Sequence, residues 1–236
     1  MQKTLIAFAA ALVAVPASAT ILTFNVQGGV SDGKLLAQTY GDRATTSPDA
    51  NGHSYGFGSE GTTANVVVDY GTTGEVPALW TTNYSGLTNV YYNEVDGDTT
   101  LTARFTADAG YDVRLFGFDL GAYFVNQAIP GLRITDLATS TVLFQTGSTL
   151  ITNAAPFSFD FSSNPLTGSQ LELVIDLTGL GGASDNIALD NIRFGQALDV
   201  PVVPGVPEPG TWALMIGGFG LVGGVMRRRG VATVAA

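Results

Sequence analysis

The sequence contains no cysteine. That absence excludes disulfide bridges, thiolate metal sites and a cysteine nucleophile, so core burial, with or without a metal ion, must hold the fold. Histidine is nearly absent too. His53 is the one copy, in Asn51-Gly52-His53-Ser54-Tyr55-Gly56, so no histidine pair for a metal can be built. No nucleophile-elbow pattern surrounds it, a catalytic triad is not supported, and His53 reads as an exposed loop residue. Basic residues are scarce. Residues 20–199 hold six of them (Lys34, Arg43, Arg104, Arg114, Arg133 and Arg193) against 19 acidic residues, a net charge of −13. This balance argues against nucleic acid as a partner, and it suits solubility and divalent cations outside the cell.

The two ends carry targeting chemistry. Lys3, an apolar run from Leu5 to Val15 and the small-residue triplet Ala17-Ser18-Ala19 make residues 1–19 a secretory signal peptide. Signal peptidase cutting after Ala19 would leave Thr20 as the first mature residue. At the other end, Pro201, Pro204, Pro207 and Pro209 make residues 200–211 an extended linker, because proline fits neither ladders nor helix interiors. Residues 212–226 carry no charge and open on Trp212, an amphipathic aromatic suited to a membrane interface. Arg227, Arg228 and Arg229 follow and orient such a segment with residues 227–236 as a cytoplasmic tail. At about 1.5 Å per residue the run covers roughly 22 Å, short of the roughly 30 Å hydrocarbon core, so it is a marginal transmembrane helix. Gly220 and Gly224 form a small-xxx-small face on which another membrane helix can pack.

Pro207-Glu208-Pro209, then Trp212-Ala213, a glycine-rich span and the arginine cluster resemble the PEP-CTERM sorting signal of Gram-negative bacteria. The resemblance implies recognition by exosortase, an integral-membrane protease, in organisms that make extracellular polysaccharide. It further implies a precursor anchored in the inner membrane and a product delivered to the cell envelope, outer surface or extracellular matrix. Residues 230–236 depart from the pattern, since such signals usually stop soon after the arginines.

Between the ends, alternation of period two dominates and no long amphipathic helix appears, which predicts an all-β domain over residues 20–199. The clearest strands are 66–70, 99–106 with Leu101, Ala103 and Phe105 on one face, and 157–161 with Phe157, Phe159 and Phe161 on one face. Leu171, Leu173 and Ile175 continue the pattern. Between Tyr111 and Leu120 the phase slips, which predicts a bulge or a strand that changes sheets. Asp96-Gly97 and the 179–184 segment are turn signals, and residues 28–61 read mostly as loop. Many short strands and such turns predict two packed antiparallel sheets, a β-sandwich of jelly-roll type.

The segment Ser184-Asp185-Asn186-Ile187-Ala188-Leu189-Asp190-Asn191-Ile192-Arg193-Phe194 reads as a turn followed by a strand. A regular strand would put Ala188, Asp190, Ile192 and Phe194 on one face, with Ile187 and Leu189 on the other. A carboxylate among those apolar neighbours needs a cation or several hydrogen bonds. The segment is similar to the last strand of galactose-binding-like jelly rolls, in which the aspartate often helps hold a structural cation. The resemblance implies Ca²⁺ at Asp190; bonding to backbone amides is the alternative, and both stay open. Asn93, Glu94, Asp96 and Asp98 gather oxygens at a turn, but Gly97 comes too early for an EF-hand loop, so a hairpin turn is the better reading.

Trp80, Tyr84, Tyr91 and Tyr92 fall in a loop-rich region and offer either core or a platform for sugar rings. Two functions are therefore expected. The favoured one is a non-enzymatic envelope or biofilm protein, structural or weakly carbohydrate-binding; the alternative is a secreted polysaccharide-acting hydrolase, whose acid pair no sequence spacing would reveal.

Overall fold

The computed structural model describes residues 20–26, 29–44 and 63–199, with Phe219 the one described residue beyond them. The chain divides into two compact units, 1–199 and 200–236. The signal-peptide residues Ala17 and Ala19, His53, and the tail residues Pro207, Glu208, Pro209, Trp212 and Arg227 to Arg229 lie outside the described residues. Among the described residues no helix is long and apolar enough to cross a membrane.

Among the described residues fifteen strands follow one another. The first group is β1 (Thr20–Leu22), β2 (Lys34–Leu35), β3 (Val66–Thr72), β4 (Pro77–Trp80) and β5 (Val90–Asn93). Next come β6 (Thr100–Ala107), β7 (Tyr111–Ala122), β8 (Gln127–Ile129), β9 (Gly131–Asp136) and β10 (Thr141–Thr146). The last are β11 (Thr149–Ile151), β12 (Phe157–Asp160), β13 (Leu166–Gly168), β14 (Gln170–Asp176) and β15 (Ile187–Leu198), with a 3₁₀ turn at Gly181–Asn186 before β15. One antiparallel sheet runs β12-β7-β15-β5-β4-β2, with β1 added to β15 and β13 to β7. The second runs β10-β9-β14-β6-β3, and β8 with β11 forms a small separate ribbon. This is the all-β, jelly-roll-like architecture that the alternation predicts.

Each sheet buries one face against the other because its apolar residues recur every second position. Val66, Val68, Leu101, Ala103, Phe105, Leu171, Leu173 and Ile175 of the second sheet join Val113, Leu115, Phe118, Leu120, Leu189 and Phe194 of the first in one core. Phe105 and Phe194 meet across it with ring centroids 5.1 Å apart.

The phase slip in β7 is a pair of offset bulges. Asp119 pairs with Asp190, Gly117 with Arg193, and Leu115 with Phe194, so Phe116 is the extra residue on β7 while Asn191 and Ile192 lie between pairs on β15. Glycine is required at 117. A Cβ there would run into the Phe159 carbonyl and the Arg193 guanidinium, and the backbone has φ +155°. Opposite it, Asn191 turns through the left-handed region at φ 49°.

The bulge corrects the face assignment of the terminal strand. Ile187, Leu189, Ile192 and Phe194 enter the core, whereas Ala188 belongs to a cluster on the outer face. Regular alternation fails because the extra residue shifts the phase between Asp190 and Ile192.

Candidate functional site

The outer face of the first sheet is apolar at one place. Ala78 of β4, Val90 and Tyr92 of β5 and Ala188 of β15 lie together there with Tyr84 and Leu87 of the connecting loop, and Trp80 and Tyr123 pack against them. The loop closes on itself through Asn89 N donating to Thr81 O at 3.0 Å. Asp32 anchors its start by accepting from Thr81 N at 2.9 Å and Thr81 Oγ1 at 2.6 Å. Its middle presses onto β7. The Ala122 amide donates to Ser85 Oγ at 2.7 Å, and Ser85 Oγ donates to the Thr152 carbonyl at 2.6 Å. Gly121 makes that approach feasible, since a Cβ there would sit 2.6 Å from the Tyr84 carbonyl oxygen.

Four rings close a circuit on this face. Trp80 and Tyr92 have centroids 5.7 Å apart at 81°, and Tyr92 and Tyr84 are 6.1 Å apart at 47°. Tyr84 and Tyr123 are 5.0 Å apart at 41°, and Tyr123 returns to Trp80 at 5.5 Å and 80°. Together with Glu94 and Asp185 they line a cleft of about 70 Å³. The hydroxyls are oriented: Tyr84 donates to the Asp185 carbonyl at 2.5 Å, and Tyr92 donates to the Glu94 carboxylate. Burial pushes the Tyr84 hydroxyl far above its ordinary value, with the charges of Asp185, Glu94 and Asp32 adding to it, so it stays a proton donor. Burial likewise raises the Asp185 carboxyl, assisted by Asp96 and Glu94. Asp185 Oδ1 is buried without a hydrogen-bond partner.

The structure therefore sorts the four aromatics singled out in the sequence. Trp80, Tyr84 and Tyr92 meet on the outer face, while Tyr91, adjacent to Tyr92 on β5, points into the core. Its hydroxyl donates to the carbonyls of Gly71 at 2.8 Å and Thr102 at 3.0 Å. Trp80, Tyr91 and Tyr92 lie on strands rather than in the loop-rich region the sequence suggests. Two members of the cleft escape a sequence reading. Tyr123 follows β7 and Asp185 sits in the 3₁₀ turn, 31 and 93 residues from Tyr92 by number. Only their burial beside β5 joins them to it.

Asp190 is 3% exposed. Its Oδ1 accepts from the Asn191 amide at 2.7 Å, and Asn191 Nδ2 donates at 2.9 Å to Oδ2 of Asp119, the cross-strand partner. Burial, with the Asp119 charge adding to it, pushes the Asp190 carboxyl up to about 8 against the pull of the Asn191 bond. Around neutrality it is mostly the uncharged acid. Calcium takes six to eight oxygens, whereas Asp190 and Asp119 supply two carboxylates. Among the described residues no three Asp, Glu or His side chains converge as a metal cage.

The turn after β5 is not the hairpin turn the sequence suggests: β5 pairs with β4 and β15 while β6 pairs with β3 and β14, so the turn carries the chain from the first sheet to the second. Val95 O accepts from Asn93 Nδ2 at 3.0 Å and from the Asp98 amide at 3.2 Å, with Gly97 at φ 87°. Ser184 Oγ accepts from the Gly97 amide at 2.9 Å and ties this turn to the 3₁₀ segment carrying Asp185.

Residues 205–229 match the PEP-CTERM protein-sorting motif. That motif is the exosortase recognition signal, so the protein is secreted and sorted to the cell envelope or outer surface. No curated protein matches the sequence. Among solved structures, the crystal structure of Podospora anserina GH26-CBM35 beta-(1,4)-mannanase aligns at TM-score 0.32 and 14% identity. The alignment covers 61% of this chain and 31% of that enzyme's.

Proposed function

We propose that this is a non-enzymatic surface protein that binds glycan weakly through the four-ring cleft. The precursor is exported, cut by signal peptidase after Ala19, and held in the inner membrane of a Gram-negative bacterium by residues 212–226. Exosortase then removes that anchor, and the β-sandwich enters an extracellular polysaccharide layer or biofilm. The observation that carries the binding role is the aromatic lining of a cleft on one outer sheet face. Aromatic rings stack on the apolar faces of sugars, and flanking carboxylates accept from their hydroxyls.

Glu94 and Asp185 lining one cleft is the specific feature that favours the alternative, a polysaccharide-acting hydrolase. A glycan array and a reducing-sugar release assay separate the two. Binding without release is the expected result; release that disappears in Asp185→Asn would make the protein an enzyme. Intact-mass measurement checks the processing: the mature protein should lack residues 212–236, and recovery of the whole tail from cells with active exosortase would overturn it.

A further inference from the structure

The reading of the outer face as a glycan site leaves open which glycan it takes, and the chemistry of the cleft narrows the choice. Its walls are four aromatic rings, whose faces carry the negative end of the aromatic quadrupole. The remaining lining groups are the carboxylates of Glu94 and Asp185, and the lining holds no lysine or arginine. The field beyond them has the same sign. The carboxylates of Asp185, Glu94 and Asp32 act on the Tyr84 hydroxyl, and those of Asp96 and Glu94 on Asp185.

A second observation concerns hydrogen bonding. Asp185 Oδ1 is a buried acceptor without a donor, in a cleft where the Tyr84 and Tyr92 hydroxyls are already spent on the Asp185 carbonyl and the Glu94 carboxylate. Such an atom is costly unless something supplies a proton to it. The complement of the cleft is therefore a group that is cationic and a hydrogen-bond donor, and compact enough for about 70 Å³. An ammonium group projecting from a sugar ring is compact enough for that space. Anionic sugars face the opposite situation, since a uronate would meet two carboxylates with no cation between them.

We infer that the cleft binds the protonated amine of an amino sugar in a cationic glycan, with the ammonium against the faces of Trp80, Tyr84, Tyr92 and Tyr123 and donating to Asp185 Oδ1. The neighbouring sugar ring lies outside, over half-buried Trp80 and Tyr123. Ring faces and carboxylates act together here, because a cation leaving water gains from both.

Isothermal titration of the full-length protein tests this with four probes: a glucosamine tetramer, the same tetramer fully N-acetylated, a galacturonic acid tetramer, and choline. The glucosamine tetramer should bind, and acetylation, which removes the charge and keeps the ring, should weaken binding about tenfold or more. Galacturonate should not bind. Asp185→Asn and, at the exposed rim, Glu94→Gln should each bring the glucosamine tetramer toward the acetylated value, with circular dichroism unchanged. Equal affinity for the two tetramers overturns the inference and leaves the general glycan reading standing. Failure of every tetramer to bind overturns both. Binding of choline without any tetramer assigns the cage to a methylated ammonium and overturns the amino-sugar assignment.

Discussion

The two outward faces of the sandwich differ far more than the two inward ones. Both sheets bury the same kinds of aliphatic and phenyl side chains between them. Outside, the second sheet shows Arg104 opposite Glu172 and Asp69, with Thr102, Thr106, Thr135 and Arg133 in neighbouring register positions. That is the ordinary solvent face of an antiparallel sheet. The first sheet instead covers Ala78, Val90, Tyr92 and Ala188 with a loop, and leaves a cleft between the rings. Inner faces are made alike by the need to exclude water, so they report fold. An outer face escapes that constraint, and an apolar departure on it calls for a functional explanation.

The largest effect should come from the inner side of β5. Tyr91 is fully buried with its hydroxyl bonded to two carbonyls, so Tyr91→Ala should cost about 3–5 kcal/mol in urea unfolding. A loss below about 1 kcal/mol would show that the inner and outer tyrosines do not differ as described.

Asp190 should make stability depend on pH. Its folded carboxyl titrates at about 8, above the ordinary carboxylate value, so the folded state holds the proton more tightly than the unfolded state. Stability from this group is full in acid below the unfolded value. It falls as pH rises, by about 1.4 kcal/mol per unit, until pH passes the folded value. Asp190→Asn should flatten that slope and melt higher than wild type at alkaline pH. If calcium holds Asp190 as the carboxylate, EDTA should lower the melting temperature of wild type and Asp190→Asn should destabilise it throughout. Thermal melts with and without EDTA across pH distinguish the two.

Trp80→Ala should separate stability from binding. Trp80 is only partly buried at the end of β4, so unfolding should shift by about 1–2 kcal/mol while affinity for the bound glycan falls about tenfold. The smallest change is expected on the opposite face. Arg104 bonds Glu172 Oε1 through Nη2 at 2.6 Å and Nε at 3.2 Å across neighbouring strands. Arg104→Ala should cost about 0.2–1 kcal/mol and leave binding unchanged. Loss of binding in this variant would erase the contrast between the outer faces.

The sequence by itself determined what depends on short-range pattern. Alternation of Leu101, Ala103 and Phe105, or of Leu171, Leu173 and Ile175, assigns each residue to a face, because successive side chains in a strand point to opposite sides. The sorting tail is equally legible, since Pro207-Glu208-Pro209, Trp212 and Arg227 to Arg229 act through their linear order. Only the tertiary structure decided the rest. Whether the slip near Phe116 was a bulge or a change of sheets depended on its partner strand β15, and the same bulge moved Ile192 and Phe194 away from the face of Ala188. The cleft is the clearest case: β15 lies between β5 and β7, and that lateral order brings Tyr92, Tyr123 and Asp185 together. Strand order in a sheet is settled by packing between segments far apart in the chain, and no local period encodes it.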